Sequence, residues 1–81
     1  MNIDTSAQFL EFYKKKGDYL VTLSETHFKT VEYRKCLELL NEAYGMYRKG
    51  NYTELAEKTK QKFIEIKKNT LKRKQNQAAN L

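Results

Sequence analysis

Between residues 33 and 47, Tyr33, Cys36, Leu37, Leu40, Ala43, Tyr44 and Tyr47 fall within one arc when successive residues are turned by about 100°. An α-helix gathers such a set on one side, whereas a strand would scatter it over both faces. Arg34, Glu38, Asn41, Glu42, Arg48 and Lys49 take the remainder, Leu39 and Met46 flank the arc, and Gly50 closes the segment. A second arc follows, with Tyr52, Leu55, Ala56, Thr59, Phe63, Ile66 and Thr70 sharing a face at spacings of three and four that suit packing against another helix. Asn51 stands where an N-cap would, and Glu54 at the capping-box position. No proline interrupts the 81 residues and only three glycines punctuate them, so the frequent turns of an all-β fold have no source. The expected fold class is all-α.

The first third reads less regularly. Asp4, Thr5 and Ser6 are N-cap residues, Phe9, Leu10 and Tyr13 share a face, and three lysines precede Gly17. Cations suit a helix C-terminus and glycine suits the left-handed residue after it, which predicts a first helix from about residue 5 to about residue 16. Asp18 then caps a second segment from Tyr19 to about Lys29, despite the β-branched content of Leu20-Val21-Thr22-Leu23. The architecture this gives is three to four helices arranged as antiparallel helical hairpins in a small bundle. Residues 1–70 form a single helical domain, with hairpin 5–29 and hairpin 31–70, and residues 71–81 form a basic, polar C-terminal tail.

Lys16-Gly17-Asp18-Tyr19 recurs as Lys49-Gly50-Asn51-Tyr52, 33 residues later, and the same offset matches Thr26 with Thr59, Lys29 with Lys62, Glu32 with Glu65 and Lys35 with Lys68. Repeats of this period are characteristic of stacked helical hairpins. Tyr13-Lys14-Lys15-Lys16-Gly17-Asp18-Tyr19 resembles the turn between the two helices of a tetratricopeptide repeat. The second copy departs from it, because Met46 takes the spacing that Tyr13 holds in the first. The small residues of the family's helix crossings are also poorly matched, by Leu10, Thr22 and Lys29 in one copy and by Ala43, Leu55 and Lys62 in the other. The resemblance implies a peptide- or protein-binding scaffold without catalysis, in which Tyr19 and Tyr52 plug their own hairpins.

Catalytic chemistry has little to draw on. His27 is the single histidine and Cys36 the single thiol, on segments expected to be separated by a break. Cys36 lies on the apolar arc, where it reads as a small buried hydrophobe. One cysteine excludes a disulfide framework within the monomer, and His27 with Glu25 falls short of a zinc set. Glu38 and Glu42 sit one turn apart on a polar face, and the glycines form no phosphate-cradling loop. The chain is therefore expected to be non-catalytic, with no cofactor and no metal. The cysteine usage and the lack of a basic, apolar leader at the N-terminus make the cytoplasm the expected compartment.

Charge points to acidic partners. The net charge is +6, with eight Lys/Arg against seven Asp/Glu in residues 1–50 and eight against three in residues 51–81. The leading expectation is a protein-interaction module, an adaptor, inhibitor or assembly subunit, that meets an acidic protein surface through Tyr44, Tyr47, Arg48, Lys49 and Tyr52. The alternative is a nucleic-acid-binding regulator using Lys58, Lys60, Lys62, Lys67, Lys68, Lys72, Arg73 and Lys74, although these spread around the helix and match no recognition-helix pattern. Two hairpins with uncapped apolar ends, together with Phe28, Leu39 and Met46 as a secondary apolar strip, predict a homodimer. Gly45 is the odd residue, costing about 1 kcal/mol against Ala inside a helix.

Overall fold

The computed structural model describes the backbone of residues 7–79 and the side chains of residues 8–70. The N-cap candidates Asp4, Thr5 and Ser6 lie outside the described residues. Among the described residues there are three packed helices: α1 (Ala7–Lys29), α2 (Tyr33–Lys49) and α3 (Thr53–Ala79). There is no strand among the described residues. The second and third follow the two amphipathic arcs of the sequence, while the first corrects the expected break at Gly17.

Residues 7–29 are one helix instead of a hairpin, and Gly17 lies inside it with an ordinary negative φ. Its missing side chain serves packing instead of a turn. A Cβ at position 17 would stand 2.5 Å from the ring of Tyr47, so glycine is what lets that ring lie against the α1 backbone. Asp18, expected as an N-cap, instead accepts a hydrogen bond from the Tyr47 hydroxyl at 2.6 Å and pairs with Lys14 one turn earlier at 2.9 Å. The two copies of the Lys-Gly-Asp/Asn-Tyr sequence thus have different conformations. The first is mid-helix, and only the second lies at a connection.

Both connections are built alike. Glu32 N–H donates to His27 C=O and Val31 N–H to Phe28 C=O after α1; Tyr52 N–H donates to Tyr47 C=O and Asn51 N–H to Arg48 C=O after α2. This paired 6→1 and 5→2 pattern is the Schellman motif, whose central residue is left-handed. Val31 and Asn51 hold that position, each at φ 64°. Asn51 therefore ends α2 and is not the cap of α3, and Gly50, at φ −91°, is not the left-handed residue. Gly50 is small for contact reasons, because a Cβ there would lie 2.7 Å from the Tyr52 ring and 3.0 Å from the Tyr13 Cβ.

The core has two parts. Leu20, Leu39, Ala43, Tyr47 and Ala56 pack together toward the Gly50 end, and Cys36, Leu40 and Ile66 toward the other. Ala43 and Ala56, both almost fully buried, are the small residues that bring α2 close to its neighbours. Tyr47, late in α2, meets Gly17, and the Cys36 thiol, early in α2, meets the Ser24 hydroxyl, so α2 runs back along α1. Leu40 packs with Phe63 and Cys36 with Ile66, so α3 runs back along α2. The central helix carries most of the packing. Among the described residues, α1 is bridged at 3.0 Å by the hydroxyl of Tyr52, just before α3, donating to Leu10 C=O, and at 2.8 Å by Lys62 of α3 pairing with Glu25. Buried Ser24 and Thr59 hydroxyls donate to backbone carbonyls of their own helices, Val21 and Leu55, which satisfies their protons.

Candidate protein-interaction surface

The tyrosines expected to form a contact surface divide according to their helix face. Tyr47 points inward, 3% exposed, with its hydroxyl committed to Asp18. Burial, with the adjacent Asp18 carboxylate, pushes this phenol well above its usual range. Tyr52 is half-buried, its ring close to Gly50 of its own turn and its hydroxyl bound to Leu10 C=O of α1, outside the hairpin it was expected to plug. Tyr19, expected to plug its own turn, is instead 59% exposed with the Lys16 ammonium over its ring, because no turn exists there. Only Tyr44, with Arg48 and Lys49, remains available to a partner. Tyr44 is half-buried and its hydroxyl accepts from the Arg48 guanidinium at 3.0 Å, while that guanidinium also lies 5.8 Å from its ring centre.

Tyr44 opens one end of a long groove between α2 and α3. A cavity of about 260 Å³ lies among Leu40, Asn41, Tyr44, Lys60, Phe63 and Ile64. It shares Asn41 and Phe63 with a second, of about 340 Å³, that reaches Arg34, Leu37 and Glu38. Those three residues also border an open trough of about 810 Å³ that ends at Val31, Tyr33 and Thr70. The floor is largely apolar and the rims are charged, with both signs on the α2 side and lysines on the α3 side. Arg34 stands on the α2 rim and Lys60 and Lys67 on the α3 rim, with Lys67 over the Phe63 ring at 5.9 Å, while Arg48 meets the groove through its contact with Tyr44. Glu38 is paired with Arg34 at 4.0 Å. Glu32 accepts from the Thr30 hydroxyl and contacts His27 Nδ1 at 2.8 Å, and these two bonds hold its carboxyl below the usual carboxylate range.

The basic residues of α3 do not act as one set. Lys60 and Lys67 border the groove, Lys62 is on the far side in its bridge to Glu25, and Lys58 and Lys68 are exposed elsewhere on the helix. Lys72, Arg73 and Lys74 belong to the described backbone of α3, which stays helical past the expected tail boundary at residue 70, while their side chains lie outside the described residues. The secondary apolar strip is also broken up. Leu39 is in the core, Met46 is half-buried against it, and Phe28 stacks edge-to-face on Tyr33 at 5.4 Å.

Sequence reasoning did not single out Ile64, which is 36% exposed beside Lys60, nor Leu37, Asn41 and Phe63 as groove residues. A signal for Ile64 was available: it lies off the apolar arc of its helix, where an isoleucine has no core to enter.

Cys36 and His27 have different surroundings. Cys36 is 1% exposed, and burial pushes its thiol up, with the Ser24 hydroxyl opposing in part. His27 faces Glu32 at the first connection. Among the described residues no group of three or more His, Cys, Asp or Glu is placed to hold a metal ion, and no helix is long and apolar enough to cross a membrane. Comparison with family models, with characterised proteins and with solved structures returns no match, so the functional reading rests on the geometry of this chain.

Proposed function

We propose that this chain is a non-catalytic interaction module that binds a protein partner along the α2–α3 groove. The supporting observation is the continuity of that groove, which joins Tyr44 to Tyr33 and Thr70 over an apolar floor with Lys60 and Lys67 along its α3 rim. Contiguous concave apolar surface rimmed by charge is the usual form of a protein-binding site. The placing of the α3 lysines counts against a nucleic-acid surface. Of the lysines on which that reading depends, Lys62 is spent on Glu25, and Lys58 and Lys68 face away from the rim that Lys60 and Lys67 share.

Affinity capture from the native host, with and without nuclease, tests the reading when run beside an Ile64→Glu variant. Ile64 is exposed, so the substitution spares the core. The expected result is a protein that survives nuclease and is lost with the variant. Capture that disappears with nuclease and is indifferent to position 64 would overturn it.

A further inference from the structure

Resting on that reading of the groove, we propose that its occupant is an acidic amphipathic helix, which lies between α2 and α3 as a fourth helix. Three features of the groove carry this. The first is shape. From Tyr33 to Tyr44 the floor follows eleven residues of α2, about 16 Å at the rise of a helix, which is the length of three helical turns. An elongated trough between two helices, floored by Leu37, Phe63 and Ile64, accepts apolar side chains presented at spacings of three, four and seven.

The second is the spacing of charge. Lys60 and Lys67 are seven residues apart on the α3 rim. Heptad spacing on that rim matches carboxylates along a flank of the apolar seam of a packed helix. Glu38 pairs with Arg34 and Glu32 lies near Lys35, so these charges offset one another, and the positive excess beside the groove comes from Lys60 and Lys67 on the α3 rim, which disfavours a basic partner. The third is the state of the aromatic rings. Base stacking needs open ring faces, yet Phe63 and Tyr44 are half-buried and each has a cation over its ring, Lys67 and Arg48. An oligonucleotide would have to displace both.

The test is titration of the isotopically labelled full chain, followed by its amide resonances, with three probes. One is a synthetic helix-forming peptide of about three heptads with Leu at the seam and Glu on both flanks. The second replaces each Glu by Lys, and the third is a mixed-sequence single-stranded oligonucleotide. The Leu/Glu peptide should shift Leu37, Asn41, Tyr44, Ile64 and Lys67 and bind at least about tenfold more tightly than the Leu/Lys peptide. The double variant Lys60→Glu, Lys67→Glu should reverse that preference while keeping the helical circular dichroism of the parent, since both side chains are exposed.

Shifts confined to α1, no discrimination between the peptides, or tighter binding of the oligonucleotide in the groove would each overturn the proposal. A groove that captures its native protein partner yet ignores the Leu/Glu peptide would retain the interaction reading and reject this occupant. A groove indifferent to both would remove the two together.

Discussion

The ring of Tyr47 occupies the space that any side chain at position 17 would need, with its nearest carbon 2.5 Å from where a Cβ would stand. One glycine thus decides how closely α2 approaches α1, and one tyrosine explains why a glycine is kept in the middle of a helix. Gly45, in α2, has nothing within 4 Å of its would-be Cβ. The two positions therefore respond oppositely to the same substitution. Gly45→Ala should stabilise the protein by about 1 kcal/mol through helix propensity alone. Gly17→Ala should destabilise it by about 1–3 kcal/mol, because overpacking displaces the Tyr47 ring. Thermal melts of both variants check this, and equal shifts of the same sign would mean that the ring is not seated on Gly17.

The Tyr47–Asp18 hydrogen bond gives the stability a pH dependence. The Tyr47 hydroxyl, followed by Lys14, holds the Asp18 carboxyl below its ordinary value in the folded protein. A carboxyl lowered on folding stabilises fully above its unfolded value, near pH 4, and loses that contribution as pH falls through the folded one. Tyr47→Phe removes the larger cause. At neutral pH it should cost about 1 kcal/mol, toward the low end for a bond to a carboxylate because Asp18 is half exposed. Below pH 4 the gap between parent and variant should narrow. Glu25, held low by Lys62, and Glu32, held low by Thr30 and His27, shape the acid limb of both proteins alike. Denaturant titrations at neutral pH and near pH 3 measure the gap, and one that widened in acid would contradict the assignment.

Val31 carries a left-handed backbone at φ 64° with a β-branched, exposed side chain. That conformation costs such residues about 1–2 kcal/mol, whereas asparagine, present at the equivalent position 51, tolerates it. Val31→Asn should raise the denaturation midpoint by an amount equivalent to about 1 kcal/mol with an unchanged slope. A lowered midpoint would show that Val31 contributes more through its contacts at the groove end than its backbone costs.

Cys36 should behave as a core residue. With its thiol buried and shifted upward, it should react with a thiol reagent only as fast as the protein opens, and much faster in denaturant. Complete labelling of the native protein within seconds would place it outside the core.

The periodicity of residues 33–70 made α2, α3 and most of their buried positions legible, Leu40, Ala43 and Ile66 among them, because a 3.6-residue period in apolar side chains has few causes other than a helix with one buried face. The break at Gly17 was misread because its local signals, lysines followed by Gly-Asp, are those of a real C-terminus. What overrides them is a contact from Tyr47, 30 residues away, that no local pattern records. The assignment of Tyr47 to the surface follows from the same omission: once α1 is continuous, the face of α2 that bears Tyr47 is covered. The sequence arcs contain Tyr44 but not the groove it borders, which depends on the register between α2 and α3 that places Lys60 and Ile64 opposite it. Single-helix patterns do not contain that register.

The claim that the α2–α3 groove is the functional surface is tested most directly by site-specific photo-crosslinking in the native host. A photoreactive residue at Asn41, in the groove, is compared with one at Thr22, exposed on α1. The account predicts a nuclease-resistant protein adduct from position 41 and none from position 22. An adduct from position 22 alone, or a nuclease-sensitive adduct from position 41, would contradict it.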